Sequence, residues 1–192
     1  HEDCDGLDGD VNNDSVLNII DITTTVAVLL GNYAWTDECQ ETYADFNDDG
    51  SVNIVDIVTM VQAVLNGRIN DYATLVQFEK TNSGVTFEAN GYVGAIQMTL
   101  SHNSDFKLDI TNNAMISDYK KTDNLTTLII VAPEDNNLFS SYGFFNIENV
   151  VAASSDNYIN TEVYTPADFT ISNAYPNPFN PSTSFSIELS AD

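Results

Sequence analysis

Over the first seventy residues, apolar positions recur at helical spacing. Ile22, Val26, Leu29 and Leu30 share one face of a helix following Asp21, and Gly31 supplies its stop. The stripe returns as Ile57, Val61, Val64 and Leu65 after Asp56, and ends at Gly67. Each stripe is too apolar to stand unaided in water, which predicts that the two helices pack on each other as a pseudo-twofold pair. From Asp71 the period turns to alternation. Strands are predicted over 75–79, 84–89, 93–101, 106–110, 125–132, 142–151 and 158–164, separated by turns such as Thr81-Asn82-Ser83-Gly84. This spacing predicts an antiparallel β-sandwich. The expected fold class is therefore α+β and multidomain. A small all-α pair occupies 1–70, the sandwich 71–165, and a Pro-rich arm ending in a lone strand 166–192.

The polar residues before each helix repeat as well. Asp10, Asn12, Asp14, Asn18 and Asp21 occupy positions 1, 3, 5, 9 and 12 of a twelve-residue segment. Asp45, Asn47, Asp49, Asn53 and Asp56 occupy the same positions 35 residues later. These are the ligand positions of an EF-hand-type calcium loop, with the position-7 carbonyls of Val16 and Ser51 completing each set. Calcium is a hard cation that takes six to eight oxygens at roughly 2.3–2.6 Å, and three carboxylates over-compensate its charge. Two Ca2+ ions are expected, one per loop. Position 6 is Gly50 in the second loop but Ser15 in the first, where a side chain at the sharp turn costs on the order of 1 kcal/mol. The apolar position 8 (Leu17, Val52) is expected to face its partner across a short ladder.

Charge sharpens the picture. The chain carries 29 acidic and 5 basic residues, a net charge of −24, which leaves little to neutralise phosphate backbones. Nucleic acid is excluded as a partner. The longest apolar runs, such as Leu128 to Ala132, are far short of a spanning helix, so no membrane span is expected. The chain opens on His1 with no basic n-region or apolar h-region, as expected of a mature product or a fragment.

Cys4 and Cys39 are the two cysteines, each six residues before its loop. Equivalent residues of a repeat meet near its pseudo-twofold axis, which makes a Cys4–Cys39 disulfide natural; a pair of reduced core thiols is the alternative. Closing such a loop stabilises by about 3–4 kcal/mol in the chain-entropy model. A disulfide and calcium loops together point to a secreted protein, extracellular or at the cell surface.

On Gly9 to Asp14, Asn18 with Asp21, and Asp45 to Asp56, residues 4–67 resemble a dockerin module of the type I kind, the calcium-loop pair that plugs into cohesin domains in bacterial extracellular assemblies. The resemblance implies that loop positions 10 and 11, here Ile19-Ile20 and Ile54-Val55, help contact the partner. Both copies are alike, so either serves as a contact face, or else these apolar pairs are internal core. Tyr92 to Leu100, Leu108-Asp109-Ile110, Leu128 to Val131 and Val150-Val151-Ala152 resemble strands of a cohesin-like sandwich.

No constellation reads as catalytic. His102 reads as a solvated turn residue, and Glu134 and Asp135 are adjacent in a turn rather than opposed across a cleft. Carbohydrate binding would want an exposed aromatic platform, yet the single Trp, Trp35, lies between the loops. At the C-terminus, Phe169 to Thr183 followed by the alternating Ser184 to Leu189 resembles the opening of the sorting domain of type IX secretion in Bacteroidetes-like bacteria. That domain needs further strands, so the chain is expected to be clipped, as a record or after export. A lone strand with Phe185, Ile187 and Leu189 on one face frays, folds back, or adds to a neighbour's sheet. The function expected is a calcium-binding structural protein, a self-associating subunit of an extracellular fibre or surface layer with itself or a cohesin-like domain as partner. The alternatives are a dockerin-bearing appendage of a larger secreted enzyme and a carbohydrate-binding module.

Overall fold

The computed structural model describes residues 4–67, 71–166, 169–171, 184 and 186–189. Helix α1 spans Ile19–Leu29 and α3 spans Ile54–Val64, each opened by an Asn N-cap and a capping box that Asp21 or Asp56 completes. Gly31 and Gly67, at φ +71° and +65°, follow their C-terminal ends. Between them lies α2, Glu38–Ala44, which the apolar spacing does not anticipate. Asp37 caps it, Gln40 completes its capping box, and it buries Tyr43 and Ala44.

Nine strands follow: β1 Leu75–Thr81, β2 Gly84–Ala89, β3 Ala95–His102, β4 Lys107–Ile110, β5 Ala114–Thr122, β6 Leu125–Pro133, β7 Asn137–Tyr142, β8 Phe145–Ala153 and β9 Tyr158–Tyr164. Their hydrogen-bonded order is β4-β7-β2-β1-β9-β8-β3-β6-β5. Strand β9 turns the corner. Ala152 and Ala153 of β8 pair with Ile159 and Tyr158, and the remainder of β9 runs beside β1. The two halves face each other over a core that includes Phe78, Phe139, Met98, Leu100, Leu128 and Phe145.

Three expectations need correction here. The sandwich is not purely antiparallel, because β1 and β9 pair in parallel; almost the whole domain connects them, so no hairpin constrains their direction. Strand β5 was absent from the alternating pattern because its Ser117, Asp118, Lys120 and Lys121 belong to a charged edge strand. The strand expected over 142–151 begins only at Phe145, as β8, and β7, which ends at Tyr142, is a separate strand that the alternating pattern does not anticipate; Gly143, at φ +89°, parts the two.

The outer face of β3, β5, β6 and β8 is also covered. Ile22, Val26 and Leu30 of the first helical segment and Ile57, Val58 and Val61 of α3 form one buried cluster with Ala95, Ile116, Ile129, Val131 and Ala153 of the sheet. Alternation decides the allegiance of each residue. Leu128 and Ile130 point into the sandwich, whereas Ile129 and Val131 point at the helices. The packing is tight at Gly94, where a Cβ would stand 2.4 Å from Val58 Cγ1 and 2.8 Å from the Ala153 carbonyl oxygen. Thr59 Oγ1 donates to the Ser155 carbonyl across the junction at 2.7 Å. Lys120 on β5 donates to the Gly31 carbonyl beyond the end of α1, a favourable place for a cation.

The last strand is not lone: β11, Ile187–Leu189, pairs antiparallel with β10, Phe169–Ile171. Phe185 and the Pro-rich run 172–183 lie outside the described residues.

Gly94→Ala is expected to cost about 1–3 kcal/mol through overpacking against Val58 and the β8 backbone. Denaturant unfolding of the calcium-loaded chain checks this, and an unchanged midpoint would mean that the helix yields without penalty.

Candidate calcium loops and docking face

The two loops are built on the same hydrogen bonds. Asp10 Oδ1 accepts from Asp14 N at 3.0 Å and Oδ2 from Ser15 N at 2.6 Å; Asp45 accepts from Asp49 N at 3.1 Å and Gly50 N at 2.8 Å. Asn12 Oδ1 and Asn47 Oδ1 accept from Asp14 N and Asp49 N at 2.9 and 3.0 Å. Asp21 accepts from Asn12 N and Asn18 N at 3.2 and 2.9 Å, and Asp56 from Asn47 N and Asn53 N at 3.1 and 2.8 Å. The position-12 carboxylate thus ties the start of each loop to the first turn of its helix.

Position 9 has another task. Asn18 Oδ1 and Asn53 Oδ1 each accept a helix-capping N–H, from Ile20 and Val55, at 2.8 Å. Their amide nitrogens donate to the Val16 and Ser51 carbonyls at 3.0 and 2.8 Å. A role at position 9 through a bridging water is compatible with this geometry. Ser15, at φ +73°, adopts the left-handed backbone that Gly50 adopts at +87°, so the first loop keeps its turn despite the side chain.

The donor chemistry fits a hard divalent cation. Among the described residues no three Asp, Glu, His or Cys side chains form a metal cluster by themselves. Each loop instead mixes carboxylates with Asn amides and main-chain carbonyls, all oxygen donors. Asp21 and Asp56 are fully buried. Burial pushes the Asp21 carboxyl above the ordinary aspartate range, the N–H groups of Asn18 and Asn12 oppose the rise, and Asp10 and Asp14 add to it. Asp56 is raised by the same causes, with Asp45 and Asp49 as the neighbouring charges. None of the five basic residues falls within either loop. Such a gathering of carboxylates favours a divalent cation.

Cys4 and Cys39 form a disulfide with Cα atoms 5.6 Å apart. Beside it Val11, Tyr43 and Ala44 make a small core flanked by Trp35 and Val52. Tyr43 anchors the first segment, its Oη and carbonyl accepting from Gly6 N and Gly9 N, both at 2.9 Å. The ladder expected between Leu17 and Val52 does not form among the described residues. Leu17 packs toward the helix–sheet cluster and Val52 toward the disulfide core.

The positions expected at a contact face separate. Ile54 and Val55 are buried, at 0% and 4% exposure, in the cluster shared with the sandwich; Ile19 and Ile20 are 42% and 55% exposed. Sequence equivalence does not survive, because a twofold-related pair of surfaces meets only one sheet. One further sequence reading shifts. His102 is buried rather than solvated, stacked on Phe106 with Nδ1 2.9 Å from the Asn103 carbonyl and Nε2 2.9 Å from Thr126 Oγ1. The residues missed entirely are those receiving the helices: Gly94, Ser155 and the outward side of β6. The unbroken apolar run Leu128 to Ala132 was their signal, since a strand covered on both faces loses its alternation.

Residues 8–66 match the model of the dockerin type I domain, and the N-terminal module is a dockerin module. Dockerin domains bind calcium and dock onto cohesin domains. A non-cellulosomal cohesin from the hyperthermophilic archaeon Archaeoglobus fulgidus overlaps 48% of this chain and 86% of its own, at 15% identity and a TM-score of 0.33. That overlap is too loose to define the sandwich. No curated protein matches the sequence. No helix among the described residues is long and apolar enough to cross a membrane.

Gly50→Ser, which makes the second loop like the first, is expected to lower stability by about 1 kcal/mol. A Cβ there meets nothing within 4 Å, so the cost lies in the backbone; thermal melts of the two forms measure it. Replacing Cys4 and Cys39 together by Ser is expected to cost about 3–4 kcal/mol, read as a lower denaturation midpoint under non-reducing conditions.

Proposed function

We propose that this chain is a secreted, calcium-binding assembly protein whose dockerin module docks on a β-sandwich, its own within one molecule and that of the next copy in an assembly. The observation that carries the reading is the single buried cluster joining Val58 and Val61 to Ala95, Ile129 and Val131. Such a contact has the same chemistry whether the sheet belongs to the same chain or another. Exchanged between copies, it is head-to-tail and builds rings or open fibres.

Each loop would hold one Ca2+ through Asp10, Asn12, Asp14, Val16 and Asp21, or through Asp45, Asn47, Asp49, Ser51 and Asp56, with Asn18 and Asn53 acting through water. The ion neutralises the crowded carboxylates and holds the helix N-terminus that the position-12 Asp caps. The disulfide and the sorting-domain resemblance of 169–189 favour export. A second reading, an appendage that docks a larger secreted protein, is favoured by one observation. Ile19 and Ile20 remain exposed at dockerin contact positions, available to an external cohesin-like domain.

Light scattering and negative-stain microscopy, in calcium and then in chelator, distinguish these readings. Oligomers or filaments that dissolve on chelation are expected. Filaments that persist would move the linkage to the C-terminal strand, and a compact monomer in both conditions would refute assembly and leave the appendage.

A further inference from the structure

We infer that the two calcium loops have separate tasks: the second loop, Asp45 to Asp56, controls docking of the helices on the sandwich, whereas the first loop, Asp10 to Asp21, holds the helical module together without controlling docking. The inference rests on the docking reading above and concerns its regulation.

The repeat gives the comparison an internal control. Both loops tie their position-12 carboxylate to the first turn of the helix that follows, through equivalent bonds. What differs is where that first turn sits. The first turn of α3 carries Ile54 and Val55, buried in the shared cluster, and that of α1 carries Ile19 and Ile20, exposed. One turn on, Val58 fills the space over Gly94, while its equivalent Thr23 is exposed. Thr59 Oγ1 reaches both the Val55 carbonyl, at 2.8 Å, and the Ser155 carbonyl of the sandwich, at 2.7 Å. Its equivalent Thr24 donates back to the Ile20 carbonyl at 2.8 Å. Helix α1 joins the shared core through Ile22, at the end of its first turn, and then through Val26 and Leu30.

Tyr158, at the start of β9, has its hydroxyl pushed above the ordinary tyrosine range, first by burial and then by the carboxylates of Asp49 and Asp56. No carboxylate of the first loop acts on it. An ion in the second loop therefore orders a turn that meets the interface through Ile54, Val55 and Ile57, and one in the first loop orders a turn that meets it through Ile22 alone, with Ile19 and Ile20 exposed. By linkage, docking must in return strengthen calcium binding at the second loop and leave the first unaltered.

The test uses the full chain with isothermal calcium titration, small-angle scattering, and methyl NMR of Ile116 and Ile129, which face the helices. The unaltered chain is measured first, with and without chelator. If it takes up no calcium, or if chelation leaves shape and methyl shifts unmoved, the docking reading itself falls. Given that control, Asp45→Ala with Asp49→Ala is expected to lose one ion, enlarge the radius of gyration and shift both methyls. Asp10→Ala with Asp14→Ala is expected to lose one ion and keep the docked shape. Equal undocking by both pairs, or by neither, would overturn the division of tasks. Should the second-loop pair unfold the helical module outright, Gly94→Val approaches from the sandwich side with both loops intact. It is expected to weaken one calcium site by about fivefold or more while sparing the other. Equal weakening of both sites, or of neither, contradicts the inference.

Discussion

Burial of the outward face of β3, β5, β6 and β8 under α1 and α3 is the contact from which the rest of the molecule takes its form. Both helices are 11 residues long, below the length at which an isolated helix is stable in water, and both are apolar on the side that faces the sheet. The sheet presents Ala95, Ile116, Ile129 and Val131, which would otherwise lie open as an apolar patch. Neither surface is well suited to water without the other. The sandwich core on the opposite face of the sheet is complete in itself, so the strands serve as a common wall between two hydrophobic clusters.

The loops feed into this contact through helix N-termini. One carboxylate, Asp21 or Asp56, completes a capping box and also stands at the closing position of a calcium loop. Helix initiation and the closing position of each loop thereby depend on the same side chain. The disulfide and the small core around Tyr43 brace the far side of the module, away from the sheet. Each loop gathers carboxylates where a divalent ion can compensate them, and the few cations of the chain lie elsewhere. Two of those cations meet main-chain carbonyls: Lys120 at Gly31, and Lys121 at Phe106.

Local features were legible to the degree that they answer to local rules. The loop residues, the Asn caps, the glycine stops and the apolar stripes each obey a spacing of a few residues, and both helices and both loops stand where that spacing puts them. Strand β6 is apolar enough to be read directly, while β5 is a charged edge strand and escapes any rule based on alternation. His102 reads as a turn residue because its burial depends on Phe106 and Thr126, a contact that sequence order does not reveal. The parallel pairing of β1 with β9 is equally non-local.

The sequence by itself determined the chemistry: oxygen donors at calcium spacing, two cysteines related by the repeat, and apolar faces that need a cover. Only the tertiary structure decided which surface supplies that cover and which of two equivalent faces receives it. Ile19-Ile20 and Ile54-Val55 are nearly the same dipeptide in the same context, yet one pair is exposed and the other buried. The reason is geometric. Both helices reach the sheet, but the first turn of α3 lies at the sandwich, where Gly94 is small enough to admit Val58, and that of α1 leaves Ile19 and Ile20 outside.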